Sequence, residues 1–166
     1  MIVPSSGGGG SRAALAVHRA SVPMWGMKES ASNRFVIEFA TEGNNEVINL
    51  APEITKHAKK LKGVGVLHLF VVGSTAALTT IEYEPGLVTH DLQDLMQRLI
   101  PDDAHYHHEA TWHDDNGHAH LRAAFLGPSL TLPFENGKLL TGEYQQAVLV
   151  DFDTRPRRRK VIATIL

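Results

Sequence analysis

Six of the ten histidines fall in one short stretch: His105, His107, His108, His113, His118 and His120, interleaved with Glu109, Asp114, Asp115 and Asn116. The chain has no cysteine, so a metal site here must be built from imidazole and carboxylate. That donor set suits a transition ion such as Zn, with Mn also accommodated, whereas Mg prefers oxygen. His118 and His120 are two apart. An extended backbone would put both rings on one face and a helical one would splay them, although the first residues of a helix still allow convergence. The spacing matches no HExxH-type motif, and a solvated polar loop accounts for the same composition.

Other chemistries find less support. Gly63-Val64-Gly65 lacks the third glycine of a dinucleotide fingerprint, and neither GxxxxGK[ST] nor GxSxG occurs. The basic run Arg155-Pro156-Arg157-Arg158-Arg159-Lys160 would, on a strand, divide its charges between two faces. It therefore reads as exposed edge-strand charge, with an arginine face that collects substrate phosphates as the sharper alternative. A formal net charge of -2 gives no global reason to expect nucleic acid or an anionic membrane as partner. No apolar run approaches the ~20 residues that span a bilayer, so a cytoplasmic location is expected.

The elements that must position these residues follow from periodicity. Residues 1–26 contain Ser5-Ser6-Gly7-Gly8-Gly9-Gly10-Ser11 and no acid, a linker composition that sets them apart as a flexible N-terminal extension from a single domain over 27–166. A targeting segment around Arg12 to Arg19, or a true start at Met27, are the other readings. Alternation predicts strands at 35–40 and 46–50, joined as a hairpin through Glu42-Gly43-Asn44-Asn45. Pro52 and Glu53 open a helix that Gly63 stops, with His57 on its surface. Val64–Val72 reads as a central strand buried on both sides, with His68 a hydrogen-bonded core histidine. A hydroxyl-rich segment follows to Glu84-Pro85-Gly86. Leu87, Val88, Leu92, Leu95, Met96, Leu99 and Ile100 then mark an amphipathic helix whose opposite face, including Gln97, is solvated. Strands at 129–133, 138–141, 147–152 and 160–166 close the chain, with an Asn136-Gly137 hairpin turn. Mixed elements followed by antiparallel strands favour α+β over a doubly wound sheet.

Taken in order, several of these segments resemble the YjbQ-like family, also called secondary thiamine-phosphate synthase. They are Gly73-Ser74-Thr75-Ala76-Ala77 through Glu84-Pro85-Gly86, His108 with Trp112, Asp114-Asp115-Asn116-Gly117-His118-Ala119-His120-Leu121-Arg122-Ala123, Leu126-Gly127-Pro128-Ser129, Gly142-Glu143-Tyr144-Gln145-Gln146 and Asp151-Phe152-Asp153. The resemblance runs from about Phe35 to the C-terminus. It implies an α+β fold with a mixed or antiparallel β-sandwich or barrel-like core and two to three flanking helices, assembled as a homotrimer. It also implies a divalent-metal site near the histidines. The activity it implies is weak condensation of hydroxymethylpyrimidine diphosphate with thiazole phosphate, releasing diphosphate. Glu82 and Arg122 are then expected to be catalytic, and Ser74, Thr75, Ser129 and Gln145 to bind substrate. A metal-dependent phosphate-ester hydrolase and a non-catalytic trimer that binds an anionic metabolite are the rival functions. Two departures stand out. Gly73 sits where many relatives carry His, so His118 is expected to replace the lost ligand beside His108 and His120. Tyr144 stands where Trp is usual.

Overall fold

The computed structural model describes residues 33–166, so the expectations for 1–26 and for Met27 lie outside the described residues. Eight strands and four helices follow one another as β1 (Arg34–Thr41), β2 (Glu46–Asn49), α1 (Ala51–Ala58), β3 (Val64–Val72), β4 (Ala76–Glu82), α2 (Leu92–Leu99), α3 (Glu109–Trp112), α4 (Gly117–Leu126), β5 (Ser129–Glu135), β6 (Lys138–Leu139), β7 (Gln145–Asp151) and β8 (Arg157–Ile165). A π-helical segment, Leu87–Asp91, leads into α2. The Glu84 carboxylate accepts the free N–H groups of Gly86 and Leu87 at its start. The strands form two curled antiparallel sheets, β1-β8-β3-β5-β6 and β2-β7-β4. The α+β class is as expected.

Alternation puts Leu67, Leu69 and Val71 of β3 inward, against Ile37, Leu132, Phe134, Val161 and Ala163 of the same sheet and Leu78 and Leu149 of the other. A second core lies on the opposite face of the three-stranded sheet, where Ala77, Val148 and Val150 meet Leu92 and Met96 of α2 and Ala119 and Ala123 of α4. The layers are thus sheet, sheet, helices. Each fully buried Leu or Val contributes about 1.5–3 kcal/mol.

This layering overturns three sequence expectations. β3 is central in its sheet but buried on one face only: Val64 is 79% exposed, and His68 faces outward with Nδ1 3.1 Å from Thr131 Oγ1. The doubly buried strand is β7, the one sandwiched between sheet and helices. β1 and β2 are not a hairpin, because β1 pairs with β8 and β2 with β7. Their connecting turn carries the chain between sheets through three successive left-handed residues, Gly43, Asn44 and Asn45. It is pinned where Asn44 N–H donates to the Asp153 carbonyl at 2.7 Å. A Cβ on Gly43 would stand 2.3 Å from that same carbonyl oxygen, so only glycine fits. Finally, β8 is an interior strand between β1 and β3, but its Arg157–Arg159 end runs past β3 and pairs with β1 alone; Arg157 and Arg158 are exposed there, and the expected exposed charge fails at Arg159, which is buried. The Asn136-Gly137 hairpin between β5 and β6 is present as expected, with both turn residues at positive φ. His57 stacks on Phe35 with centroids 4.0 Å apart.

Candidate functional site

The histidine stretch folds as a loop, the single turn α3 and the N-terminal half of α4. Because α4 begins at Gly117, His118 and His120 are both helical and diverge. His120 turns toward His108, with ring centroids 4.6 Å apart. His118 is buried and turns toward Tyr106, with centroids 6.2 Å apart. Burial, together with the positive charge of Arg122, holds the His118 imidazole below its ordinary pKa, which favours the neutral ring. The expected set of His108, His118 and His120 is therefore not brought together. Among the described residues, no three His, Cys, Asp or Glu side chains stand as a ready cage for an ion.

The chain assembles a different group in its place. His108 Nε2 lies 3.4 Å from Asp114 Oδ1, an ion-pair distance without hydrogen-bond alignment. Both atoms are buried without a hydrogen-bond partner, and so is Asn116 Oδ1. Burying such atoms unpaired costs about 1–3 kcal/mol each, which the surroundings must hold in place. Glu109 supplies that restraint by accepting the N–H groups of Asp115 at 2.7 Å and Gly117 at 3.0 Å. Left-handed backbone at His113 and Asp115 turns the loop on either side of Asp114. A Cβ at Gly117 would meet that of Tyr106 at 2.6 Å, so glycine permits the close approach. The group borders a cavity of about 340 Å³ lined by His105, Tyr106, His107, His108, His120 and Leu121 among others. Asp114 had no role assigned from sequence; only its place in the polar run hinted at one. Asn116, which suits a helix cap by type, stands at the N-cap of α4 without a side-chain capping hydrogen bond.

Arg122, expected as a catalytic phosphate donor, is instead 1% exposed. Its Nε donates to the Ile100 carbonyl at 2.9 Å, Nη1 to Asn45 Oδ1 at 2.7 Å and Nη2 to Gln97 Oε1 at 2.9 Å. It ties α4 to α2 and to the turn between sheets, and it gives Gln97 a structural partner where a purely solvated face was expected. Burial lowers its pKa from the ordinary arginine value.

The arginines that do meet charge are on β8. Arg159 Nε and Nη2 clasp the Asp151 carboxylate at 2.6 Å each, and both side chains are almost wholly buried. Arg157 Nε and Nη2 bind Asp153 at 2.9 and 3.1 Å. Thr75 is built into this network: its hydroxyl donates to Asp153 Oδ2 at 2.8 Å and accepts from Arg159 Nη2 at 2.8 Å. Although burial opposes it, hydrogen bonds from Arg157 and Thr75 hold the Asp153 carboxyl below its ordinary value. Hydrogen bonding to Asp153 raises the Arg157 pKa, and Asp114 of the histidine group adds to this electrostatically. Asp114 of the histidine group thus lies within electrostatic range of Arg157. Ser74 lies exposed beside Thr75.

Three expected residues fall elsewhere. Glu82 and Gln145 pair with each other at one end of the β4–β7 ladder, while Ala76 pairs with Asp151 at the other. Seven residues of strand separate the two ends by about 20 Å. Gln145 is committed locally, donating to Thr80 Oγ1 at 3.0 Å and accepting the Gly142 N–H at 3.2 Å. Ser129 stands opposite Phe70 on the outer face of β5.

An α+β protein of two curled antiparallel sheets, with a histidine-lined cavity beside a buried Asp–Arg network, is the class that fold and site define. The family model described as UPF0047 protein YjbQ-like matches residues 35–166, and the chain belongs to that family. A UPF0047 protein of Archaeoglobus fulgidus is 33% identical over 121 residues, 73% of this chain and 91% of the relative. A UPF0047 protein of Mycobacterium tuberculosis is 39% identical over 99 residues, 58% of this chain and 71% of the relative. Among solved structures, a YbjQ-like protein of unknown function from Sulfolobus solfataricus superposes with a TM-score of 0.70 at 27% identity, covering 80% of this chain and 96% of that one. An uncharacterised YjbQ/UPF0047 protein from Clostridium acetobutylicum gives 0.68 at 28% identity, covering 78% and 99%.

Proposed function

We propose that the chain is an enzyme acting on a small phosphate-bearing substrate in the His108–His120 cavity. The reaction is the thiamine-phosphate-forming condensation that the family resemblance implies. The observation that supports a polar ligand there is that His108 Nε2 and Asp114 Oδ1, 3.4 Å apart, are buried without a hydrogen bond, as is Asn116 Oδ1 two residues further along the chain. Imidazole and carboxylate are the donor types that a borderline divalent cation such as Zn or Mn prefers, although among the described residues no three of them stand together as a formed site. Were a cation to bind, His108 and Asp114, 3.4 Å apart, and His120, whose ring centroid is 4.6 Å from that of His108, are the residues that would have to close on it, and His118 stays outside this set. When bound, such a cation supplies Lewis-acid stabilisation of the phosphate oxygens.

In the condensation the thiazole nitrogen forms a C–N bond to the pyrimidine methylene carbon. The C–O bond to diphosphate breaks with its electron pair, so no oxidant or reductant is needed. The chain's part is to hold the departing anion. Arg157 is half exposed and uses two nitrogens on Asp153, which leaves Nη1 for a phosphate oxygen, with the exposed Ser74 hydroxyl as a second donor. Tyr106 and Leu121 add apolar surface beside the imidazoles.

A cytoplasmic homotrimer completes this reading. No helix among the described residues is long and apolar enough to cross a membrane. The exposed apolar side chains of Leu95, Leu99, Trp112, Leu121 and Phe125 favour self-association. Light scattering on the purified chain at three times the monomer mass is the expected result.

Metal analysis comes first, followed by incubation with both thiamine precursors and Mg, Mn or Zn in turn. Thiamine phosphate that falls by at least about 10²-fold in His120→Ala supports the reading. Phosphate release from simple esters instead would establish a hydrolase, and binding without turnover a non-catalytic anion binder.

A further inference from the structure

A second concavity lies away from the histidines, where α1 and the β5–β6 hairpin meet the segment 141–147 that leads into β7. We propose that this cavity, about 430 Å³ in volume, binds a small organic monoanion with an apolar body. The inference does not rest on the proposed catalytic function.

The void has a physical origin. β6 is only two residues long, so the chain leaves the five-stranded sheet early and crosses to β7 in the other sheet. The helix α1 covers the seam, but its inward positions there are Ala51 and Ala58, and β7 contributes Ala147. Three methyl groups cannot fill a space that leucines would close. With Leu132 and Leu139 they make an apolar floor. A volume of this size is typical of small-molecule sites, which are mostly apolar with a few polar groups at the mouth.

The mouth carries charge of one net sign. The Asn136-Gly137 turn rests on the end of α1, where a Cβ on Gly137 would lie 3.1 Å from the Lys59 carbonyl oxygen. That contact brings Lys59 and Lys138 together among the lining residues, where Glu143 is the single carboxylate. Thr55 and Thr141 line the cavity with them. Gln145 faces the cavity with its amide already bonded to Thr80 and Gly142, so it stiffens the wall. Two ammoniums and one carboxylate leave one positive charge. An aryl or branched-alkyl carboxylate matches both the floor and the rim.

The test is titration of the ¹⁵N-labelled full chain with phenylacetate and with its neutral analogue phenylacetamide. Saturable amide shifts confined to 51–59 and 132–147 are expected for phenylacetate, with the neutral amide about fivefold weaker. Lys59→Gln with Lys138→Gln should erase that preference while keeping the shifts in place. Thr55→Trp, on the exposed side of α1, should block the mouth and abolish them. His120→Ala should leave the titration unchanged, which separates this site from the histidine cavity. Shifts that map to 105–121, equal affinity for acid and amide, or binding that survives Thr55→Trp would each overturn the proposal.

Discussion

The two ends of the β4–β7 ladder are built on opposite terms. At the end where Ala76 faces Asp151, two carboxylates and the Arg159 guanidinium are buried, Arg157 is half exposed, and the four are linked with Thr75 and with Thr41, whose hydroxyl donates to Asp151 Oδ2 at 2.6 Å. At the end where Glu82 faces Gln145, the side chains are exposed, and the contacts are neutral and local. One strand pair thus carries a rigid ionic clamp at one end and a solvent-open wall at the other. The difference teaches where precision is needed: the clamp fixes the corner where Asp151, Asp153 and Thr75 meet β8, whereas the open end only has to bound a cavity.

The comparison can be broken most sharply at Asp151. Asp151→Ala strips Arg159 of its partner inside the fold and should cost about 3–5 kcal/mol in urea unfolding. A cost under 1 kcal/mol would mean the clamp is not a stabilising unit. Thr75→Val keeps the shape but removes the hydroxyl shared by Asp153 and Arg159, and about 1–3 kcal/mol should be lost. At the opposite end Gln145→Ala should cost about 1 kcal/mol, and Glu82→Gln about 0.5 kcal/mol or less. If thiamine phosphate is formed, Glu82→Gln should also leave its rate unchanged. A large rate loss there would show that the reacting cavity is completed by Glu82 from a neighbouring copy.

Acid titration sharpens the same contrast without a large mutation. The His118 pKa is lowered in the fold, so below its ordinary value of 6.5 the unfolded chain binds a proton that the folded chain does not. Stability must therefore fall as pH drops through that value, levelling off once the folded ring itself protonates. Asp153 is held below its ordinary 3.8, so its contribution is complete above that pH and is lost as pH falls through the folded value. Two descending steps are expected in urea midpoints against pH, and His118→Phe should remove only the upper one.

Much of the fold was legible. The Pro52-Glu53 helix start, the Asn136-Gly137 turn and the strands at β3 and β5 are local signals, and each appears at its expected place, although β3 is buried on one face and not on two. The β1–β2 hairpin failed because Glu42-Gly43-Asn44-Asn45 has a hairpin's composition, but its backbone is bonded to Asp153, over a hundred residues away. The site was less legible for a related reason. Arg122 lies among histidines in the sequence, yet its acceptors come from Asn45, Gln97 and Ile100. Asp114 drew no attention because its importance comes from being buried next to His108 without a hydrogen bond.

Composition and local periodicity alone determined the α+β element order, the exclusion of thiol chemistry and the stretch in which imidazole and carboxylate chemistry had to lie. Tertiary structure decided which sheet each strand joined, which histidine turned toward His108, and that the arginines of β8 face buried aspartates. The division has a physical cause. Turn and helix preferences act over a few residues, whereas burial and charge pairing depend on groups brought together only when distant segments pack.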